Sequence, residues 1–221
     1  MIVISRLPEP PILASNKEMW LQVYLERRTA SPRLRPNASQ YGHHDIRSAL
    51  HAMSFNKCFY CERRLREQEG QVEHYIEVAE QPELAFEWHN LCLSCPECNR
   101  RKLPNIQISV TQCLHPCGTV DSPADHLTFA DEYIRPRADS LKGAKTIQKY
   151  RLDRDELNYR RAKQLQLLER ALRQIQTLRL QEGNRPLSKY EMEVIASFKQ
   201  ADHAFSLMFN VYLANIELEA A

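Results

Sequence analysis

Two Cys-x-x-Cys pairs, Cys58/Cys61 and Cys95/Cys98, constrain this chain more than any other feature. Each pair supplies two thiolates, and two pairs separated by a few tens of residues are typical of one tetrahedral zinc site. Four protein ligands close such a site, so we expect the ion to stabilise the fold rather than to react. The sequence therefore predicts a small metal-dependent core between these pairs.

A competing register exists for the second pair, because Cys92 and Cys95 also form a Cys-x-x-Cys unit. We favour Cys95/Cys98, since this register leaves Asn99 directly beside the pair at the start of a predicted helix. Cys92 is then a strand residue. Four buried thiols without a metal are the alternative interpretation of the whole set, and the repeated spacing makes it the weaker one.

A second candidate metal site is Cys113-x-His115-x-Cys117, but no fourth ligand follows at a recognisable spacing. Ordinary thiols in a loop are the favoured interpretation there.

The start Met1–Arg6 lacks the apolar core of a signal peptide, and no later run approaches the length of a membrane span. We therefore expect a cytoplasmic chain with no membrane association, in which cysteines bind metal rather than form disulfides.

The balance of charge restricts how the chain can hold an anionic polymer. The 221 residues carry a formal net charge of only +2, so binding must depend on local clusters and not on a global field. Two basic clusters adjoin the cysteine pairs and are candidate nucleic-acid contacts: Arg63, Arg64, Arg100, Arg101 and Lys102. Most such clusters are solvated surface, which is the alternative interpretation.

The segments around the cysteines alternate between helical and strand patterns. We predict helices over 16–28 and 45–55, strands over 72–76 and 86–93, and a helix over 96–102. The apolar residues spaced for the buried faces of the first two helices are Met19, Trp20, Val23, Tyr24, Ile46, Leu50 and Met53. Strand, loop, strand and helix thus follow one another around the cysteine pairs.

The C-terminal third has the clearest helical periodicity. Asp153 with Glu156 predicts a capping box, Ser188 with Glu191 predicts a second one, and Gly183–Pro186 separates the two helices. Their inward faces are Leu157, Leu165, Leu168, Leu172, Ile175 and Leu178 in the first helix, and Val194, Phe198, Ala201, Phe205, Met208 and Tyr212 in the second. We expect them to pack as an antiparallel hairpin.

These patterns predict an α+β chain that is mostly α and has four parts. An extended proline-rich arm with helices occupies 1–57, and the zinc core occupies 58–102. A largely irregular segment over 103–140 then leads to a C-terminal helical domain over 141–221.

The sequence of the predicted zinc core also resembles a known motif. The sequence VEH, followed by EWHNLCLSCPECNRRK, resembles the zinc-stapled form of the HNH, or ββα-metal, nuclease motif. Cys95 and Cys98 stand at the fifth and eighth positions after Asn90, and Asn99 comes next, as in that family. The resemblance implies a treble-clef-like hairpin and helix that grip one catalytic divalent ion.

The resemblance also implies a role for each motif residue. Glu73 takes the position of the acidic metal ligand, His74 that of the general base, and Asn90 that of the tether of the loop between the strands. Asn99 takes the position of the last metal ligand, where histidine is also found, and its amide favours Mg²⁺ or Mn²⁺ over a softer ion. Phosphodiester hydrolysis needs an activated water and a cation, which this set would provide.

Weaker matches extend over most of the chain and resemble the PtuB-type HNH proteins. They are the proline-rich opening, the segment Pro116–Phe129, and the segment Gly143–Arg154 with the arginine-rich helix after it. That family supplies the nuclease of Septu-type anti-phage systems, some linked to retrons, and works with the ATPase PtuA. The resemblance implies a PtuA-like ATPase bound to the C-terminal helices, a DNA or RNA substrate and, in a retron-linked system, a reverse transcriptase with its msDNA.

One departure and two alternatives qualify this interpretation. Family members commonly carry a proline and a lysine soon after the Glu-His pair, whereas this chain has Tyr75–Glu80 with added acidic residues. The main alternative is a zinc-stabilised module that binds nucleic acid or protein without cutting it. A third possibility is an antitoxin or scaffold with a decayed site. His74 separates these hypotheses, because a structural zinc module has no need of an imidazole there.

Overall fold

A proline begins the first helix. The computed structural model describes residues 1–66 and 68–216, and its first helix, α1, spans Pro11–Ala30. It starts earlier than predicted because Pro11 occupies the first turn, where the missing N–H has no partner to lose. Leu13 and Tyr24 are buried, but Met19 is 56% exposed and Val23 47%, so the predicted inward face was wrong for these two.

Trp20 and Tyr24 explain how α1 is oriented. Both rings contact Phe86, at centroid distances of 5.7 and 6.3 Å, so α1 packs against the loop that contains Phe86 and precedes the second cysteine pair. A loop over 31–37 leads to the short helix α2 (Ala38–Tyr41) and then to α3 (His44–Met53). The buried residues of α3 include Ile46, Leu50 and Met53, as predicted.

The predicted order of strand, strand and helix is confirmed. β1 (Gln71–His74) and β2 (Leu91–Ser94) form an antiparallel pair in which Glu73 faces Cys92 and His74 faces Leu91. The helix α4 (Pro96–Arg101) follows directly, with Cys95 as its N-cap. β2 is shorter than predicted because Trp88–Asn90 forms a turn of 3₁₀ helix before it.

The segment predicted to be irregular contains a β-hairpin. After α5 (Pro123–His126), β3 (Leu127–Ala130) and β4 (Tyr133–Pro136) pair antiparallel across a turn in which Asp131 has φ 53°. Strands of four residues are too short to give a clear alternating pattern, which is why the sequence did not predict them. The hairpin packs between the helices that follow it.

Those helices are α6 (Leu141–Tyr150), α7 (Asp155–Gln181), α8 (Lys189–Ser197) and α9 (Ser206–Asn215). The capping box of Ser188 and Glu191 is confirmed, whereas α7 begins after Arg154 without a side-chain cap, so the box predicted at Asp153 was wrong. α7 and α8 pack on each other as the predicted hairpin would.

The second predicted helix is broken in two, and the zinc-binding region is the reason. Phe205 adopts a left-handed conformation at φ 58°, and its N–H donates to the backbone carbonyl of Glu62. The Ser206 hydroxyl donates to the buried Glu62 carboxylate at 2.9 Å. Lys57 pairs with the same carboxylate at 3.5 Å, so α9 turns away from α8 to dock here.

None of the helices in the described ranges is long and apolar enough to cross a membrane.

Gly143 allows α6 to approach α5 closely. A Cβ at this position would lie 2.1 Å from the carbonyl oxygen of His126, a backbone atom that cannot rotate away. We therefore expect Gly143→Ala to lower the free energy of unfolding by about 1–3 kcal/mol. This loss exceeds the gain of about 1 kcal/mol that alanine has over glycine inside a helix.

Denaturant unfolding of the whole chain would measure this effect. Gln148→Ala, an exposed change on the same helix, is the matched control and should leave the unfolding midpoint nearly unchanged. Equal midpoints for the two variants would contradict the close approach of α5 and α6.

Candidate functional site

The two cysteine pairs come together as one ligand set. The four sulfurs of Cys58, Cys61, Cys95 and Cys98 all lie within 4.8 Å of one another, and all four residues are buried. The Cys61 and Cys95 sulfurs are 3.9 Å apart. A tetrahedral ion with Zn–S bonds of about 2.3 Å requires sulfurs about 3.8 Å apart, so the arrangement fits a structural zinc.

Cys92 lies outside this set, which agrees with the register favoured from the sequence. It is buried in β2, and burial raises the pKa of its thiol to about 12, which keeps it protonated. Cys113, His115 and Cys117 do not form a group with metal-ligand geometry anywhere in residues 1–66 and 68–216. The His115 Nδ1 instead accepts the backbone N–H of Cys117 at 3.0 Å.

An arginine from the C-terminal region contacts the zinc ligands. The Arg154 guanidinium donates to the Cys98 sulfur at 3.5 Å and approaches the Cys95 sulfur at 4.0 Å. Burial opposes its charge, yet the neighbouring thiolates of Cys98 and Cys61 raise the pKa of Arg154 overall. Four thiolates around Zn²⁺ carry a net charge of −2, which a buried cation partly neutralises.

Replacing Arg154 should therefore weaken the metal site. We expect Arg154→Ala to lower zinc affinity about 10- to 100-fold, the range typical of residues that hold metal ligands in place. Chelator competition measures this directly. Arg160→Ala is the matched control, because Arg160 is exposed and pairs only with Glu156 on the same helix, among the residues that the structure describes. Equal zinc release from both variants would contradict a role for Arg154.

Glu73 points into the protein from β1. Its side chain is 5% exposed. Its carboxylate accepts a hydrogen bond from the Tyr60 hydroxyl and forms an ion pair with Lys102 at 2.9 Å. The Lys102 ammonium also donates to the carbonyl oxygens of His74 and Tyr75, at 2.6 and 2.9 Å. Lys102, predicted as a surface contact for nucleic acid, is thus largely enclosed beside Glu73.

His74 is held by one ring nitrogen. Its Nε2 lies 2.9 Å from the carbonyl oxygen of Ala85, and because a carbonyl only accepts, Nε2 carries the hydrogen. The basic lone pair is then on Nδ1, which has no hydrogen-bond partner among the described residues. The Tyr41 ring packs against the imidazole at a centroid distance of 4.6 Å. These two contacts fix the orientation of the ring.

The surroundings of His74 favour its neutral form. Burial lowers the pKa of the imidazole most strongly; the Ala85 hydrogen bond and the Glu73 charge oppose the shift, and the positive charges of Lys102 and Arg35 add to it. The net direction is downward from the ordinary value of the side chain. A neutral imidazole with a free Nδ1 is the form that can accept a proton.

Asn90 closes the loop between the two strands. It is buried, and its side chain accepts the Ile76 N–H at 2.7 Å while donating to the carbonyls of Ile76 and Leu84 at 3.0 and 3.1 Å. These are the bonds of a tether. Because Ala85 follows Leu84, the tether also places the carbonyl that holds His74.

A cavity of about 710 Å³ brings three motif residues together. Glu73, His74 and Asn99 all line it, whereas Asn90 lies outside it, at the base of the loop. The Asn99 amide group donates to Gln71 at 2.9 Å, which leaves its oxygen without a partner among the described residues. Two oxygen-bearing side chains on one cavity suit a hard divalent cation that keeps several waters.

The predicted basic contacts occupy different surroundings. Arg63 is paired with Glu97 and Glu69, at 3.3 and 3.5 Å, and Arg64 donates to the carbonyl of Asp202. Arg100 and Arg101 are exposed at the end of α4 and have no ion pair in the described part of the chain.

The other wall of the cavity was not predicted from the sequence. This wall comes from the end of α1, the loop over 31–37 and α2, and its residues include Arg28, Arg33, Arg35 and Tyr41. The available signal was the segment Pro32-Arg33-Leu34-Arg35-Pro36, which places two cations in a short loop between two prolines.

Comparisons with known proteins agree with this geometry. Residues 58–104 match the family model described as HNH endonuclease. The Septu protein PtuB of Bacillus thuringiensis is 31% identical over 164 residues, which cover 73% of this chain and 58% of that protein. The Septu protein PtuB of Bacillus mycoides (strain KBAB4) is 30% identical over 56% of this chain and 52% of its own length.

A third relative, from Vibrio cholerae serotype O1 biovar El Tor, belongs to the retron Vc95 and is named provisionally as an HNH endonuclease. It is 30% identical over 56% of this chain and 64% of its own length. The chain thus spans between 52% and 64% of the length of these relatives. The resemblance inferred from the motif residues is confirmed: residues 58–104 are an HNH endonuclease domain, and the chain has homologues named Septu protein PtuB.

Proposed function

We propose that the chain is a metal-dependent endonuclease that hydrolyses phosphodiester bonds of nucleic acid within an anti-phage defence complex. The observation that carries the proposal is the environment of His74, a neutral imidazole with a free Nδ1 on a cavity that it shares with Glu73 and Asn99. A residue held in this way is suited to remove a proton from water.

In the proposed reaction, Nδ1 of His74 takes a proton from a water molecule in the cavity. The water oxygen forms a bond to phosphorus, and the bond from phosphorus to the sugar oxygen breaks, with its electron pair leaving on that oxygen, which takes a proton from solvent water. The Ala85 carbonyl stabilises the imidazolium that forms, because it accepts the Nε2 hydrogen throughout. The Glu73 charge lies nearby and also favours that protonated state.

Glu73 and Asn99 would hold the catalytic ion, Mg²⁺ or Mn²⁺, in this proposal. A bound divalent cation would neutralise charge that develops on the phosphate. Each carboxylate oxygen of Glu73 accepts from one protein donor and retains a further lone pair. Asn90 acts indirectly, since it positions the loop that carries Ala85.

For partners, we propose a PtuA-like ATPase that binds the helical region over 141–221. The relatives named Septu protein PtuB motivate the ATPase, and the retron Vc95 relative motivates a reverse transcriptase with its msDNA as a second possible partner. This region exposes large apolar side chains on α7 and α8, the most exposed of which are Tyr190 and Tyr159 at 73% and 64%.

A second candidate function is a zinc-stabilised binding module that does not cut. One observation favours it: the Lys102 ammonium already neutralises Glu73 at 2.9 Å without any metal ion. Binding of Mn²⁺, followed by electron paramagnetic resonance, separates the two functions. A nuclease should bind Mn²⁺ in a manner that Glu73→Gln weakens, and a binding module should not.

The direct test is a cleavage assay of the full chain, alone and with its candidate ATPase. Duplex DNA, single-stranded DNA and tRNA would each be incubated with Mg²⁺ and, in parallel, with EDTA. We expect Mg²⁺-dependent cleavage of at least one substrate. Binding without cleavage in every arm would favour the second function.

A further inference from the structure

The cavity beside His74 has two walls, and only one belongs to the family motif. The opposite wall is the loop over 31–37 together with α2 (Ala38–Tyr41), which lies outside the matched residues 58–104. Arg33 and Arg35 line the cavity from this loop, and both are exposed. Arg33 lies in a turn that the Leu34 N–H closes by donating to the Ser31 carbonyl at 2.8 Å, and Arg35 follows this turn.

The loop is held in place before any ligand binds. The Leu34 carbonyl, between the two arginines, accepts the Tyr24 hydroxyl at 3.3 Å. Arg28 donates to that hydroxyl at 2.7 Å and to the carbonyls of Val78 and Ala79, at 2.7 and 3.2 Å. The loop is thus fastened to α1 through Tyr24, and Arg28 joins the end of α1 to the segment that follows β1. An ordered loop loses little conformational entropy when its side chains bind a ligand.

The charges in the cavity do not cancel. Glu73 is neutralised by Lys102, and Glu77 accepts the backbone N–H of Asn105 at 3.0 Å. Arg28 and Lys102 are committed to the carbonyl oxygens described above. Arg33 and Arg35, by contrast, have no hydrogen bond or ion pair with any residue that the structure describes. They are therefore available to an anion that enters the cavity.

Arg35 is also close to the reacting group. It lines the cavity together with Tyr41 and His74, and the Tyr41 ring packs on the imidazole at a centroid distance of 4.6 Å. An anion bound by Arg35 would thus lie beside the imidazole. Guanidinium groups bind phosphate with two parallel hydrogen bonds, which fixes orientation as well as position.

We propose that Arg33 and Arg35 form a phosphate clamp that holds the substrate backbone against His74. The clamp rests on the proposed nuclease function and specifies which part of the chain, outside the family motif, binds the strand to be cut. Phosphate contacts position a strand without reading its sequence, so the clamp acts on any sequence.

The test measures binding in the absence of cleavage. His74→Ala protein, in buffer without added Mg²⁺ or Mn²⁺, is titrated with fluorescein-labelled single-stranded DNA, with the same sequence as a duplex, and with tRNA, over a series of salt concentrations. Added to this background, Arg33→Ala/Arg35→Ala should weaken binding at least about tenfold. The slope of log affinity against log salt should become less steep by about 0.7–0.9 for each phosphate that the variant no longer neutralises.

Arg27→Ala in the same background is the matched control. Arg27 is an exposed arginine on α1, close in sequence, that does not line the cavity. We expect its affinity and salt slope to stay unchanged, and the melting temperatures of all variants to agree. An unchanged slope for the double variant, an equal loss in Arg27→Ala, or no binding of any probe by the background protein would each overturn the clamp.

The two proposals can fail separately. If His74→Ala abolishes cleavage while the double variant binds as tightly as its background, the nuclease stands and the clamp is wrong. If the double variant loses affinity but the unmodified chain and its complex never cleave, the clamp stands as a binding surface and the nuclease is wrong.

Discussion

His74→Ala is expected to abolish cleavage while leaving the zinc content and the melting temperature close to those of the unmodified chain. A general base contributes about 10²- to 10⁴-fold to the rate, and alanine has no group to replace it. The imidazole lies on the wall of an open cavity and makes one hydrogen bond, to Ala85, so its removal leaves a carbonyl that water in the cavity can reach. The zinc ligands do not contact it.

Initial cleavage rates, zinc stoichiometry and thermal melting would be measured on the same preparations. His44→Ala is the matched control, because His44 begins α3 with its side chain 77% exposed, away from the cavity. Added imidazole should restore part of the activity of His74→Ala, since the vacated volume adjoins the cavity. Cleavage within a few-fold of the unmodified rate would remove His74 from the mechanism and with it the proposed function.

The zinc core could be predicted from sequence because its information is local. Thiolate ligands three residues apart must lie on one turn, so Cys58/Cys61 and Cys95/Cys98 fix two short segments before any long-range contact is known. The motif then places one strand before the second pair and one helix after it. The structure agrees with this order, from β1 through α4.

Other features depend on contacts between distant segments, and sequence periodicity carries no record of them. The break between α8 and α9 arises because Glu62 binds Phe205 and Ser206, more than a hundred positions away. Residues over 198–205 still have a helical pattern of apolar side chains, which predicted one continuous helix. The backbone follows Glu62 instead, whose carbonyl accepts the Phe205 N–H and whose buried carboxylate accepts the Ser206 hydroxyl.

The same reason explains what was missed in the site. Arg33 and Arg35 lie in a loop whose sequence alone indicates only a turn between helices. Their position beside the cavity depends on two residues of α1. Tyr24 donates to the Leu34 carbonyl of this loop, and Arg28 donates to the Val78 carbonyl on the same cavity. Lys102 followed two surface arginines in the sequence, yet it folds back to contact Glu73. The spacing of residues in the sequence predicts which helix, strand or loop they belong to, but the packing of these elements decides which side chains come into contact.

Cys98→Ser is expected to lose zinc and to unfold the core, so the soluble yield should fall with the zinc content. α4 has six residues and β1 and β2 have four each, which is too short for any of them to be stable alone. An ion bound by the four clustered sulfurs would join the turn at Cys58 to the start of α4. Apparent binding free energies of structural zinc reach about 10–16 kcal/mol, more than the whole stability of an ordinary domain of about 5–15 kcal/mol.

Cys92→Ser separates loss of a ligand from loss of a buried thiol. Cys92 is as fully buried as Cys98, on the adjoining strand, but its sulfur is not among the four that cluster. It should therefore keep its zinc and show only the modest destabilisation of a polar substitution in a core. Zinc stoichiometry, near-ultraviolet circular dichroism and soluble yield would be compared for both variants. Treating the unmodified chain with a strong chelator should reproduce the Cys98→Ser result. A soluble Cys98→Ser protein with an unchanged spectrum would mean that packing of the hairpin on α3 holds this core without the ion.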